Sequence, residues 1–194
     1  MSVDLGQVDV LGAEAVGQPG QRRFRLFARS RRGSAIMWME KEQLNGLSLA
    51  LDRFLAQLTE GQVLRTEAQA GQRPKPEGMP RNFPSTPDYE FQVAQIKIGY
   101  DEAGALFLLS VTPLEIVMEP GQEPEAVIDE DAAVSFFFSQ GQAERLTTAI
   151  GVLVTSGRPV CPLCGTPLDG GPHACVKQNG HHKIILVDEE EEEE

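Results

Sequence analysis

The chain has 194 residues, of which 41% are hydrophobic, and its formal net charge at pH 7 is −12. This length and apolar content fit one medium-sized domain with a small appendage and a core that needs no disulfides. The acidic charge argues against a general nucleic-acid binder, and there is no apolar run of about 18 residues to span a bilayer. Because MSVDLGQVDV is also unlike a signal peptide, we expect a cytoplasmic protein with no membrane partner.

The first part of the chain is predicted to contain three strands followed by a helix. QVDVLGAEAV alternates as a strand does, and Pro19 and Gly20 suit the turn after it. RRFRLFARS and SAIMWME predict the next two strands. In KEQLNGLSLALDRFLAQLTE, apolar residues such as Leu44, Leu47 and Leu51 recur at helical spacing, so this stretch predicts an amphipathic helix.

The second part repeats this order after a proline-rich interruption. Residues 61–87 carry five prolines and little periodicity, which predicts a linker or a long surface loop. YEFQVAQIKIGY and ALFLLSVTPL then predict a hairpin, and residues 113–131 form an acidic, proline-containing excursion. AAVSFFFS predicts a further strand, and GQAERLTTAIGVLVTSG predicts a second helix.

The two strand–helix junctions align without a gap when the sequence is shifted by 99 residues. The shift places Leu47 on Leu146 and Leu51 on Ile150, so the hydrophobic face of one helix matches that of the other. Such self-similarity is the mark of an internal repeat.

The repeat predicts the fold class, because three strands and one helix cannot cover their own apolar faces. We expect an α+β body at residues 1–157 in which two β-β-β-α units form an antiparallel sheet packed with two helices. The units are residues 1–60 and 88–157, joined by the linker at 61–87.

All three cysteines lie in CPLCGTPLDGGPHAC, within residues 158–183, which we expect to form a zinc-knuckle-like segment. The two-residue gap in CPLCG lets a tight turn aim two thiolates at one ion. Three thiolates favour zinc, and a fourth protein ligand leaves no position for water, so we expect one structural zinc ion per chain. The predicted ligands are Cys161, Cys164, His173 and Cys175, with His181 or His182 as the alternative to His173.

The end of the chain is strongly acidic. Residues 184–194 include seven consecutive acids, and without them the formal charge of the chain is −5. We expect this stretch to be a solvated, disordered tail; the alternative is an electrostatic contact with a basic partner or with the protein's own basic patch.

The stretch RRFRLFARS is the most basic of the predicted strands. If it is a strand, Arg23, Arg25 and Arg29 lie with Phe27 on the face opposite Phe24, Leu26 and Ala28. This arrangement is either a solvated outer face or a candidate site for an anion or a partner. The candidate residues are Arg22, Arg23, Arg25 and Arg29.

Two of these motifs together resemble an uncharacterised bacterial family known only as a domain of unknown function. VGQPGQRRFRLFAR near the start and GRPVCPLCGTPLDGGPHAC near the end carry the resemblance. It extends from about residue 8 to about residue 182. The resemblance implies no established activity.

The function that we expect is that of a non-enzymatic binding or adaptor protein with a structural zinc site and a protein partner. All three histidines lie in the cysteine-rich segment and its flank, so the body offers no Ser-His-Asp set. One alternative is an enzyme or ligand-responsive protein that uses arginines and carboxylates in a groove between the two repeats. Another is RNA binding by the arginine-rich strand, although nucleic acid is not the expected partner.

Overall fold

The computed structural model of the chain describes residues 2–18, 21–58, 78–118 and 123–155, together with Leu163 and Cys175. These residues form eight strands and two helices, which confirms the predicted α+β class. Residues 1–157 make one compact unit and residues 158–194 another. In chain order the elements are β1 Val3–Gln7, β2 Val10–Val16, β3 Arg23–Arg29, β4 Ser34–Met39, α1 Lys41–Leu58, β5 Tyr89–Asp101, β6 Leu106–Val117, β7 Glu125–Ile128, β8 Val134–Ser139 and α2 Gln140–Thr155.

The sheet is mixed rather than antiparallel. Its strand order is β1-β8-β6-β5-β4-β3-β2, with β7 paired to β6. Two of the pairs, β4 with β5 and β1 with β8, are parallel. The prediction of an antiparallel sheet was wrong at these pairs. Between β4 and β5 the chain crosses over through α1, so β5 runs in the same direction as β4.

The first predicted strand, residues 7–16, corresponds to β2 together with Gln7, the last residue of β1, and β1 and β2 lie at opposite ends of the strand order. Only Val8 and Asp9 separate β1 from β2. The amide of Val8 donates to the carbonyl of Phe137 at 2.9 Å, and the amide of Asp9 donates to that of Arg29 at 2.9 Å. Successive residues therefore bond to β8 and to β3, and the sheet curls until its two ends meet.

The strand β5 makes the same change of partner without a break in the chain. Residues 89–92 pair in parallel with β4, and the pairing with β6 runs from Val93 to Asp101. The register shifts between Val93 and Gln95, as it does when a bulge inserts a residue into a strand. This bulge lets one long strand join the two halves of the sheet.

The third residue of each helix is a glutamine whose side chain also bonds to the backbone of the sheet. In α1 the side chain of Gln43 accepts from the amide of Glu40 at 2.9 Å and donates to the carbonyl of Val93 at 3.1 Å. In α2 the side chain of Gln142 accepts from the amide of Ser139 at 2.9 Å and donates to the carbonyl of Val8 at 3.0 Å. At α2 the Ser139 hydroxyl also accepts from the amide of Gln142 at 3.3 Å, which completes a capping box.

The main hydrophobic core joins the inward faces of the strands to both helices. Phe24, Leu26 and Ala28 of β3 are buried in it, as the alternation predicted. Phe107 stacks on Phe138 with ring centroids 5.5 Å apart. Neither of the two helices described here is long and apolar enough to cross a membrane.

Candidate functional site

The most exposed apolar surface of the described chain is a two-stranded ribbon, which we define as residues 114–117 of β6 and 125–128 of β7. These two segments pair antiparallel, with Leu114 opposite Ile128 and Val117 opposite Glu125. Every residue of β7 is exposed, as are residues 115–117 of β6. The ribbon therefore offers surface on both faces.

Large apolar side chains of the ribbon are open to solvent. Ile116 is 64% exposed and Ile128 is 54% exposed. Val117 and Val127 are 42% and 37% exposed, and Met118, which follows β6, is 76% exposed. Contiguous apolar surface of this kind marks interaction sites more often than scattered apolar residues do.

The register divides the ribbon into two different faces. Because side chains alternate along a strand, Leu114 and Ile116 share one face with Ala126 and Ile128. That face is wholly apolar. The opposite face carries valines and acids, namely Glu115, Val117, Glu125 and Val127.

The surroundings of the ribbon are acidic. No lysine, arginine or histidine occurs between Lys97 and Arg145 in the sequence. Lys97 itself forms an exposed ion pair with Glu130 at 3.1 Å. The acids next to β7 are Glu123, Asp129, Glu130 and Asp131.

Sequence reasoning missed the ribbon, because it assigned residues 113–131 to an irregular excursion. The strand β7 is only four residues long and follows Pro124, so its signal is weak. The signal that could have revealed it is the pair LEIV and EAVI, two short β-prone segments of similar length on either side of a Pro-Gly turn sequence.

Two of the four candidate arginines are paired with acids on the outer face of β3. Arg25 bonds to Glu14 through Nε at 2.7 Å and also through Nη2. Arg29 lies 3.4 Å from the carboxylate of Asp9 and donates to the carbonyl of Asn82 at 2.9 Å. Their charges are therefore largely matched within the chain.

Arg23 and Trp38 make the most open part of this face. The Arg23 guanidinium lies 4.4 Å from the centroid of the Trp38 ring, and that of Arg25 lies 5.3 Å away. The indole of Trp38 donates to Glu90 at 2.9 Å. Arg23 is exposed, whereas Arg22 is half-buried and lies just before β3.

A segment at residues 78–88, here called the strap, covers part of the outer face of the sheet. Its Phe83 is buried and meets Phe27 edge-on, with ring centroids 5.8 Å apart. Phe83, Phe27 and Ile36 form a second core cluster, separate from the main one. Phe27 also lies over Gly12, where a Cβ would come within 2.4 Å of the ring.

Hydrogen bonds hold both ends of the strap. At one end the amide of Met79 donates to Glu14 at 2.9 Å. At the other, the Ser34 hydroxyl and amide donate to the Asp88 carboxylate at 2.8 and 2.9 Å. These bonds from Ser34 lower the pKa of Asp88 below its ordinary value.

A shallow cleft of ≈ 300 Å³ lies between α1 and β5. Gly46 opens it on the helix side, since a Cβ there would meet nothing within 4 Å. Ile96 and Ile98 line it on the strand side. Its lining within the described residues carries no charged side chain, so it differs from the predicted groove of arginines and carboxylates.

The predicted zinc site falls mostly outside the described residues. Cys161, Cys164 and His173, and the alternatives His181 and His182, all lie there. Cys175 is described and is buried, with 3% exposure. The part of the chain that the structure describes contains no group of metal-ligating side chains, so the zinc site stays a prediction.

Comparison with known proteins places the chain in a family. No curated protein and no solved structure matches it. One family model, described as a protein of unknown function (DUF3090), matches residues 4–175 and so covers the strands, the helices, the ribbon and all four predicted zinc ligands. The chain therefore belongs to the DUF3090 family of proteins of unknown function.

Proposed function

We propose that this protein is a non-enzymatic binding or adaptor protein whose ribbon contacts another protein. The observation that carries the proposal is the exposed apolar surface of the ribbon, above all Ile116 and Ile128. A two-stranded ribbon is marginally stable in water on its own. Contact with a partner would cover its apolar face and order it.

Burial of the ribbon would supply part of the binding energy of such a contact. Complete burial of an isoleucine or valine side chain contributes about 1.5–3 kcal/mol. Ile116, Ile128, Val117 and Val127 are between 37% and 64% exposed, so roughly half of that gain remains for each of them. Since association costs roughly 4–15 kcal/mol, backbone bonds to β7 or further contacts must supply the remainder.

We propose that residues 158–183 hold one structural zinc ion through Cys161, Cys164, His173 and Cys175. Ligand chemistry supports this assignment, because three thiolates and an imidazole make a closed tetrahedral set for zinc. The expected result is one equivalent of zinc in protein purified without chelator, measured by elemental analysis. The variant Cys161→Ser should lose the metal and keep its far-UV dichroism. Less than about a tenth of an equivalent in the parent protein would contradict the assignment.

We also propose that the body arose from two β-β-β-α units. Supporting this, Gln43 and Gln142 make the same bonds at the starts of α1 and α2, each reaching the carbonyl of a valine where the strand pairing changes. The buried sequence of β3, Phe24 to Ala28, likewise has a counterpart in Phe107 to Val111 of β6.

A second candidate function is anion or RNA binding at the outer face of β3. One observation favours it, namely the exposed Arg23 stacked over Trp38, since bases also stack on such surfaces. The pairing of Arg25 with Glu14 and of Arg29 with Asp9 reduces the charge available there, so we rank it below protein binding.

The test of the main proposal compares two matched surface variants of the full chain. In the first, Ile116→Ser and Ile128→Ser are combined to remove the apolar face of the ribbon. In the second, Leu49→Ser removes an apolar side chain of α1 that is 52% exposed. Proteins that co-purify with the tagged chain from its native cells are quantified by mass spectrometry.

We expect at least one specific partner to be lost with the ribbon variant and retained with Leu49→Ser. Equal recovery with both variants, or no specific partner with the parent chain, would overturn the proposal. Unfolding in urea should show that both variants are folded, because the substituted side chains are exposed.

A further inference from the structure

The outer edge of β7 is open in the part of the chain that the structure describes. There β7 pairs only with β6, although all four of its residues are extended. An extended segment with free backbone amides and carbonyls is a template for another strand. Addition of a strand from another chain is a known way of binding peptides.

We propose that β7 binds a basic, strand-forming segment of another protein, which adds to its open edge. This inference rests on the proposed function and names the chemistry of the partner. The backbone bonds of β7 would provide affinity. The two faces of the ribbon would provide selectivity, because an added strand also alternates its side chains between these faces.

The register predicts the sequence pattern of the partner. On the face of Ile116 and Ile128, an added strand would place apolar side chains against apolar neighbours. On the opposite face it would place its other side chains beside Glu125 and Val127. Since opposite charges across strands are favourable, lysine or arginine fits there. The segment that fits is an alternation of basic and apolar residues.

The charges around the ribbon also favour a basic partner segment. Glu123, Asp129 and Asp131 are exposed and flank β7 on both sides. Among the described residues the one ion pair beside β7 is that of Lys97 with Glu130, and no ion pair neutralises these three acids. The field at the ribbon is therefore negative, which accelerates encounters with a basic segment and makes the binding sensitive to salt.

A second copy of this chain fits the same edge poorly. If two β7 strands pair antiparallel about the bond between Ala126 and Val127, Glu125 lies opposite Ile128. In that register Glu123 of one copy would also lie opposite Glu130 of the other. Like charges across strands are destabilising, so the acidic flanks disfavour self-pairing and favour a basic partner.

The experiment uses the full chain and a fluorescein-labelled octapeptide that alternates lysine with valine. Three control peptides are matched to it: one with glutamate for lysine, one with a central proline that cannot donate to a strand, and one with the same composition scrambled. Binding is followed by fluorescence anisotropy at low and at physiological salt. Hydrogen exchange by mass spectrometry then locates the amides that the peptide protects.

We expect saturable binding of the lysine–valine peptide, weaker binding of the scrambled one and none of the other two. Protection should appear in residues 125–128. Glu125→Lys and Ile128→Ser should each weaken binding about tenfold, and Leu49→Ser should leave it unchanged. Both ribbon variants should unfold at the same urea concentration as the parent chain.

Three results would overturn the inference. The proline peptide could bind as well as the parent peptide, the protection could fall on other strands, or the chain alone could form a dimer with β7 protected. If co-purification of a cellular partner depends on Ile116 and Ile128 but the peptide does not bind, the inference is wrong and the proposed function stands. If neither co-purification nor peptide binding depends on the ribbon, both are wrong.

Discussion

Two apolar areas on the surface of the sheet differ in their exposure to solvent. At β3 and β4, Phe27 and Ile36 are covered by Phe83 of the strap and are 2% and 5% exposed. At the ribbon, Ile116 and Ile128 have no such cover among the described residues and are more than half exposed. Within the part of the chain that the structure describes, one apolar area is thus covered by the chain itself and the other is left open.

The difference lies in what holds the covering segment. The strap is bonded to the sheet through Met79, Asn82 and Asp88, so its aromatic side chain packs at little further cost in chain entropy. In the described residues near the ribbon the one ion pair is that of Lys97 with Glu130, which lies beside β7 and is exposed. A covered apolar face contributes to the stability of the fold, whereas an open one remains available for contact with another molecule.

The largest effect should come from removing the cover. Phe83→Ala is expected to lower the free energy of unfolding by about 3 kcal/mol, because it deletes a buried ring and leaves a cavity beside Phe27. Urea unfolding followed by far-UV dichroism measures it. The matched control, Ile116→Ala, should change the unfolding free energy by less than about 0.5 kcal/mol. Equal effects of the two variants would contradict the comparison.

A smaller effect should come from loosening one end of the strap. Glu14→Ala removes the acceptor of the Met79 amide and the partner of Arg25, and we expect a loss of about 1–2 kcal/mol in unfolding free energy. Hydrogen exchange at residues 78–83 should accelerate at the same time. In Glu14→Gln the amide oxygen still accepts from Met79, so exchange there should stay slow although the ion pair is lost. Fast exchange in both variants would mean that the ion pair with Arg25, and not the bond from the Met79 amide, holds this end of the strap.

The smallest effect concerns the other end and depends on pH. Because the folded pKa of Asp88 is lowered, its ionised form contributes stability above its ordinary pKa of about 3.9, and this contribution is lost as the pH falls through the folded pKa. Asp88→Asn should therefore lower the urea midpoint at pH 7 and flatten the decline of that midpoint as the pH falls below about 4. Parallel midpoint curves for parent and variant would show that Asp88 does not hold the strap.

The helices could be predicted from the sequence because their signals are local. Leu44, Leu47 and Leu51 repeat at helical spacing and are all buried in α1. The alternation of β3 likewise identified its buried face. Such patterns depend on residues within one or two turns of each other, so the order of residues in a short stretch of sequence is enough to reveal them.

The strand pairing could not be predicted in the same way, because it depends on distant residues. Nothing in the sequence at Val8 and Asp9 indicates that one strand should end there and another begin. The break exists because Phe137 and Arg29, far apart in the chain, each accept one of these two amides. The cover of Phe27 by Phe83 has the same origin, since a proline-rich stretch carries no periodic signal.

The candidate sites differ in the same way, because some of their features are local in the sequence and others depend on the folded chain. The arginines of β3 were visible in the sequence, yet their partners Glu14 and Asp9 come from the neighbouring strand and its entry. The ribbon was hidden, since exposure is a property of the folded chain. The metal ligands could be named from cysteine spacing alone, and that prediction now waits for metal analysis.

The meeting of the two sheet ends has a consequence for the synthesis of the protein. Among the described strands β1 leaves the ribosome before the others, and it pairs in parallel with β8, whose residues Val134 and Phe137 are made more than a hundred residues later. During translation β1 must therefore wait, unpaired, while the rest of the sheet assembles behind it. Pairing over such sequence distances is slow. We expect closure by β1 to be the last step of folding, and a nascent chain that stalls before residue 134 to keep an open sheet.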